Sequence, residues 1–548
     1  MFSTTKGGPR RAWCLALVLV CASAAVGAQA YVKYSPSIDL TMVTEANDSL
    51  AKNVIKNGMT IDKNVWTDLV ESQLGVKIKY KWISKSDDEN RTKIDLDIAA
   101  GDISDILFVT DITKVKQMAS AGMLADLGAV YDKYASPLTK KIMGMAGKEA
   151  FLAGTYDGVL CGIPYTFGGA EDNTSPLIWL RYDWMKKLGL SEPKTMAELV
   201  KILNAFAAKD PDGNGKKDTV GLTAFKDLWG GLDGLEGFFN GYHAYPTIWV
   251  ADSAGKLVYG GIQSEALKAL KGLNALYRSG ALDPEFGIKS QDKANELLVG
   301  GKAGAEFGAG WNPVWPLFQS HDKDNSVEWK AFRIPSADGK PVLVSMGSGV
   351  NGMYVVRKDY KHPEVLVQLL NLWFDKVYGE RNEFEKYSNP PGDQNWEVWR
   401  LAPVAELMSH KNYNYTLQII DALKSGDTSK MNAEAKGNYD RVVGYMKRGE
   451  QNNWSWATVF GPGGGYAAMK PYFDGNCFMV DKFVTAPTKT MEAKWATLTT
   501  MQNESYIKII MGQGDPDKEF AAFVSNFKKL GGDQIIKEVN DWYSSLKK

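Results

Sequence analysis

Lys93-Ile94-Asp95-Leu96-Asp97-Ile98-Ala99-Ala100-Gly101-Asp102-Ile103-Ser104-Asp105-Ile106-Leu107-Phe108-Val109 decides the architecture. Lys93 to Ala100 carries helical spacing, and the turn residues that follow lead into a fully apolar run, Ile106 to Val109. A helix feeding a strand with no polar face is the grammar of a sheet covered on both sides. Upstream, Ile38 to Val43 and Gly75 to Trp82 are β-type runs, the second alternating Val76, Ile78 and Tyr80, with a helix-like stretch from Asn64 to Gln73 between them. Downstream, Val159 to Pro164, Leu177 to Arg181, Gly304 to Phe307 and Gly352 to Val356 are strand candidates among helical patterns. Strands alternating with helices predict an α/β protein with mainly parallel sheets flanked by helices.

The chain has 548 residues, 44% hydrophobic and 23% charged, which describes soluble globular lobes rather than a fibre or a disordered chain. Its 64 Lys+Arg balance 64 Asp+Glu, so the basic excess that nucleic-acid binding requires is missing. Aromatic residues are plentiful, with 17 Trp, 24 Tyr and 21 Phe, whereas the 4 His stand scattered at His243, His321, His362 and His410. The sequence contains no HExxH, no Cys/His ligand spacing, no G-x-S-x-G elbow and no phosphate loop, so zinc hydrolysis and nucleotide chemistry find no support.

Lys6, Arg10 and Arg11 precede an apolar stretch from Ala12 to Val26, and Ala28-Gln29-Ala30 supplies small residues for cleavage. Residues 1–30 therefore read as a secretory signal peptide, with export to the periplasm. The alternative is a lipid anchor on Cys21, against which Val20 argues, because the preceding position normally holds a small residue. Of the remaining cysteines, Cys161 and Cys477 read as two buried thiols, with a disulfide left open.

Thr195-Met196-Ala197-Glu198 is a capping box that starts an amphipathic helix carrying Leu199, Ile202, Leu203 and Phe206. Directly after that helix comes Asp210-Pro211-Asp212-Gly213-Asn214-Gly215-Lys216-Lys217-Asp218. Side chains of Asp210, Asp212, Asn214 and Asp218, with the carbonyl of Lys216, follow the front of an EF-hand-type loop, and Gly215 suits its sharp turn. Position 12 is Gly221 instead of a bidentate Glu, so Asp218, Thr219 or a carbonyl must complete the shell around a structural calcium ion, the alternative being an Asx-turn loop that holds no metal.

Several segments together resemble one family. They are Gly101 to Phe108, Gly162-Ile163-Pro164-Tyr165, Trp179 to Gly189, Glu192 to Leu199, Gly301-Lys302-Ala303-Gly304, Gly461 to Tyr466 and Lys494-Trp495-Ala496. In order and spacing they are similar to extracellular solute-binding proteins of sugar transporters, in the large branch that includes alginate-binding proteins. The resemblance implies a two-lobed periplasmic-binding-protein-like fold of type II, joined by a multi-segment hinge that closes on its ligand. It implies 31–165 as the first part of lobe 1, 166–345 as lobe 2 with the loop at 210–219, 346–460 as a return mainly to lobe 1, and 461–548 as a mainly helical C-terminal segment. The chain would cross near Ile163 to Gly169, near Ser345 to Val350, and a third time between Val459 and Cys477. The calcium loop also resembles one in alginate-binding relatives, with Thr219 standing where those carry an acid.

By position in these motifs, Tyr165, Arg181, Trp311, Trp315, Trp454, Trp456 and Tyr466 are candidates for a sugar cleft, in which aromatic platforms stack on pyranose faces and polar groups read hydroxyls. Phe238, Asn240, Tyr242 and Tyr245 form a further polar-aromatic cluster. Trp311 and Trp454 stand beside Gly or polar residues, which suits an exposed platform. Arg181 reads equally as a bidentate partner of a uronide carboxylate or of Asp183. The expectation is a monomeric, non-enzymatic binding component of an ABC importer that delivers an oligosaccharide to a membrane permease. Its rivals are a secreted glycan hydrolase and a peptide-binding transport protein.

Overall fold

A computed structural model describes residues 31–47, 50–51, 54–166, 174–380, 382–390 and 397–546. The expected signal segment with Cys21, and residues 167–173 of the expected first crossing, lie outside them.

The described residues collect into two lobes. In the first, Ile106–Val109, Gly352–Val356 and Gly162–Tyr165 form a three-stranded sheet with Gly352–Val356 in the middle. Side chains alternate between faces. Ile106, Ile163, Tyr354 and Val356 join one core with Trp66 and Trp373, whereas Leu107, Val109, Met353 and Val355 join a second core with Val115 and Met118. Burial on both faces is why this strand reads as an unbroken apolar run. Beside it, Ile38–Glu45 pairs in parallel with Val76–Ser84.

In the second lobe, Leu177–Arg181 is the middle strand between Ala305–Gly308 and Trp329–Arg333. The Leu177 to Leu180 side chains are wholly buried. The capping box forms as read: Glu198 N donates to Thr195 Oγ1 at 3.2 Å and Thr195 N donates to Glu198 Oε2 at 3.1 Å, opening helix Met196–Ala208.

Two expectations change. The three-stranded sheets are antiparallel rather than mainly parallel, and parallel pairing between strands of the described residues is found in Ile38–Glu45 with Val76–Ser84 and in Val344–Met346 with Phe478–Val480, beside isolated parallel bridges such as Val220 with Ala303. Connectivity gives the reason. Gly162–Tyr165 runs out of its lobe, whereas Gly352–Val356 runs in from the other lobe, so the two neighbours must point in opposite directions. Second, the return to the first lobe ends well before 460. Tyr413, Tyr415, Val442, Trp454 and Tyr466 share one core with Leu177 to Val344 and with the C-terminal helices Lys489–Ile510, Pro516–Phe527 and Asp533–Ser545. The third crossing is therefore at 407–411, and Val459 to Cys477 lies within the second lobe. Cys161 and Cys477 are both free thiols, one in each lobe.

Candidate binding site

The three crossings are knitted to one another. Thr166, the first residue past strand Gly162–Tyr165, donates its main-chain N–H to Glu406 Oε1 and Oε2 at 3.0 and 3.1 Å and its hydroxyl to Glu406 Oε1 at 2.6 Å. Glu406 is wholly buried, so its charge is answered by these short, charge-assisted bonds instead of water. Asn351 N donates to Tyr165 O at 2.8 Å, joining the second crossing to the first. Tyr354 Oη donates to Ala405 O at 2.8 Å, fixing the approach to the third. Gly349 adopts φ 71°, a left-handed turn open to glycine, in the second crossing.

A cavity of about 400 Å³ opens among them, lined by Thr166, Gly347, Ser348 and His410 from all three crossings, Glu149 from the first lobe and Phe473 from the second. A larger cavity, about 490 Å³, belongs to the second lobe alone and is lined by Arg181, Lys187, Asp212 and Lys323. Size favours the second and geometry the first. Only the first has walls from both lobes, which is what a hinge-closing site requires.

The second lobe brings several of the candidate aromatics into one wall. Helix Trp454–Phe460 packs on the Asn312–Val314 turn, and Gly310 lies against Tyr466, where a Cβ would stand 3.1 Å from its ring. Trp315 is 49% exposed, and Trp311 and Trp456 are half-buried. The Arg441 guanidinium lies 4.1 Å over the Trp456 ring. Trp454, expected as an exposed platform, is buried and stacks on His321 at 4.4 Å with ring planes 9° apart. It shares the inner face of its helix with Ala457, three residues on, and the polar neighbours in sequence point elsewhere. Tyr466 is likewise fully buried and forms the backing of the wall, its hydroxyl accepting from Asn412 Nδ2 at 3.0 Å, just past the third crossing.

Other candidates lie apart from this wall. Arg181 is buried and gives Nε and Nη2 to Asp183 at 2.9 and 2.6 Å, with its guanidinium 4.4 Å over Trp184. Of its two readings, the ion pair is the one formed. Asn240 is buried and bonds Ser345, the middle residue of strand Val344–Met346: Asn240 Nδ2 donates to Ser345 Oγ and Ser345 N to Asn240 Oδ1, each at 2.8 Å. It steadies the strand that leads into the second crossing and does not face the cavity. Tyr242 packs on Phe238 with centroids 5.4 Å apart, behind the sheet. Tyr165 ends its strand beside the cavity, packed edge-on against Phe108 and Tyr354, and burial pushes its phenol well above the ordinary range. Glu406 escaped sequence reading because it stands in no motif, whereas Thr166 and Ser345 lie within the crossings implied by the resemblance but carry no pattern that marks their roles.

Residues 53–379 match the family described as bacterial extracellular solute-binding protein. This chain belongs to that family. This solute-binding protein is 27% identical, over 57% of its own length, to the polygalacturonan/rhamnogalacturonan-binding protein YtcQ of Bacillus subtilis (strain 168), and the match spans 59% of that relative's length. It is 24% identical to the lipoprotein LipO of the same organism, over 89% of this chain and 90% of LipO. Its fold superposes on the alginate-binding protein AlgQ2, solved without calcium ion, with a TM-score of 0.60 at 16% identity, covering 94% and 99% of the two chains. Among the described residues no helix is long and apolar enough to cross a membrane.

In this solute-binding protein the loop Asp210 to Asp218 is closed by an ammonium group. Lys302 Nζ lies 3.0 Å from Asp212 Oδ2 and 2.7 Å from Asp218 Oδ2, and it holds the Asp218 carboxyl below the usual carboxylate range. Asn214 turns its amide N–H groups to Asp212 and Asp218, and Asp210 accepts from Gly215 N at 2.9 Å. Thr219 leaves the expected ligand set: its buried hydroxyl donates to Phe206 O at 2.8 Å, satisfying a carbonyl in the last turn of helix Met196–Ala208. Among the described residues no three acidic, imidazole or thiol groups converge on one point. The donors are the hard oxygens calcium takes, but in this arrangement they do not gather around a cation other than Lys302.

Proposed function

We propose that this solute-binding protein captures an oligosaccharide between its lobes, stacking pyranose faces on Trp315, Trp311 and Trp456 and closing through the Thr166–Glu406 hinge. The observation that carries this reading is the wall itself, with Trp315 exposed, Trp311 and Trp456 half-buried, and Tyr466 behind them bonded to Asn412 beside the third crossing. The polygalacturonan-binding relative favours an acidic glycan. Arg181 is committed to Asp183, so the cation that would meet a uronide carboxylate is Arg441, over Trp456. The ligand would pass unchanged to a membrane permease, with the protein acting as a monomer, exported by residues 1–30 and free in the periplasm or anchored at Cys21. Calcium, in this reading, enters the Asp210 to Asp218 loop only by displacing Lys302.

A melting screen with oligogalacturonates, neutral oligosaccharides and peptides tests the reading, because a specific ligand raises stability by mass action. Oligogalacturonates should shift the melt, Trp315→Ala should weaken them without lowering the unliganded melting temperature, and Arg441→Gln should weaken uronides more than neutral sugars. Shifts with peptides alone, or cleaved sugar after incubation, would refute it.

A further inference from the structure

Behind the aromatic wall lies a buried acidic pair that the binding reading does not use. Glu306, on strand Ala305–Gly308, and Asp233, on the connection 230–235, have no exposed surface, and their carboxyl groups lie within hydrogen-bonding reach of each other. Ala309 N donates to Gly231 O at 2.9 Å, and Leu232 bridges Gly308, so the connection is bound to this strand. Glu306 Oε1 accepts from Asn312 Nδ2 at 3.1 Å, and Asn312 is the buried residue inside the Trp311 to Trp315 turn. The second oxygen of Glu306, both oxygens of Asp233 and Asn312 Oδ1 have no hydrogen-bond partner.

Four buried acceptors with no donor among them are untenable if both acids are ionised, since two unpaired carboxylates in a dry interior repel and neither is solvated. A proton between the acids turns one of them into a donor and removes one charge. We infer that Asp233 and Glu306 share one proton and that this pair, through Asn312, positions the Trp311 to Trp315 turn. The inference rests on the reading of that turn as ligand platform.

The charged groups around the pair leave this conclusion intact. Helix Glu236–Gly241 presents Glu236, whose oxygens are taken by Gly230 N at 2.7 Å and Ser175 Oγ at 3.4 Å. Strand Leu177–Arg181 presents Trp179 opposite Glu306, with its indole N–H on Ala309 O at 3.0 Å, and Arg181 on the same strand is held by Asp183. No lysine, arginine or histidine among the described residues bonds either acid. Burial pushes Asp233 up to about 8, Glu236 likewise to about 8, and Glu306 well above the usual carboxylate range, the nearby Asp233 adding to the last.

Both carboxyls are raised in the folded state, so the pair's contribution to stability is full below the ordinary carboxylate range, declines as pH rises above it, and is lost when the pair gives up its last proton. Glu306→Gln keeps the acceptor for Asn312 and replaces the shared proton with an amide N–H, and Asp233→Asn does the same from the other side. Wild type should therefore melt progressively lower from pH 6 to pH 9, whereas both variants melt above it at pH 9. Affinity for an oligogalacturonate should fall in wild type as pH rises from 7 to 9, with the loss of the proton-holding form, and stay level in both variants. Equal melting curves for wild type and both variants across that range overturn the shared proton, whether or not sugar binds. The melting difference with a level wild-type affinity overturns the positioning role. The melting difference without sugar binding at any pH keeps the pair and removes the sugar reading instead.

Discussion

Carboxylates hold two regions of this protein in opposite ways. In the loop Asp210 to Asp218 the acids are dense in sequence, partly exposed to water, and tied by Lys302 on a flexible stem. At the crossings a single acid, Glu406, is wholly buried and tied by a main-chain N–H and a hydroxyl of Thr166. Solvent screens the first arrangement and competes with it, whereas the second lies where water does not reach, so removing Glu406 leaves the Thr166 donors unanswered by solvent. Acidic density, the more visible feature, is therefore the weaker guide to what holds the lobes together.

Glu406→Ala should have the largest effect. It leaves Thr166 N–H and hydroxyl without their acceptor at a site closed to water, costing roughly 3 to 5 kcal/mol in denaturant unfolding, with Glu406→Gln retaining part of the loss. Thr166→Val removes only the hydroxyl bond and should cost about 1 to 2 kcal/mol in the same measurement. Lys302→Ala should leave the melting temperature nearly unchanged in a chelator, because exposed pairs of this kind contribute little. Added calcium should then raise the melt of Lys302→Ala more than that of wild type, since the competing ammonium has gone. If Lys302→Ala unfolded as readily as Glu406→Ala, the contrast between exposed and buried acids would be broken. If calcium moved neither protein, the loop would be a lysine-closed turn and no metal site.

Local patterns in the sequence were read well wherever one element satisfied its own needs. The Thr195 to Glu198 capping box and the doubly buried run Ile106 to Val109 are of this kind. Strand direction was not legible, because antiparallel pairing follows from which lobe the chain enters from, and no residue encodes that locally. The third crossing was missed at Leu407-Met408-Ser409-His410, which carries neither Gly nor Pro to mark a hinge. Trp329–Arg333 escaped because Lys330 and Arg333 hide a strand whose alternate residues, Trp329 and Ala331, are buried. In the candidate site Trp315 is exposed and Trp456 half-buried under Arg441, whereas Trp454 shows that polar sequence neighbours do not decide where an indole points. Asn240 reads as a sugar contact among aromatics, yet it is buried and bonds Ser345, 105 positions away, a partner no local pattern announces.

The strand at the centre of the first lobe's sheet, Gly352–Val356, is synthesised after every strand of the second lobe's three-stranded sheet. Until it emerges, Ile106–Val109 and Gly162–Tyr165 stand on either side of a gap one strand wide, about 10 Å between their axes. The second lobe in turn waits for Phe478–Val480 and the terminal helices to cover it. Neither lobe exists as a contiguous stretch of chain, so a ribosome or a translocation channel releasing the polypeptide from its N-terminus delivers no finished lobe until the third crossing at 407–411 has emerged, and the second lobe only with the terminal helices.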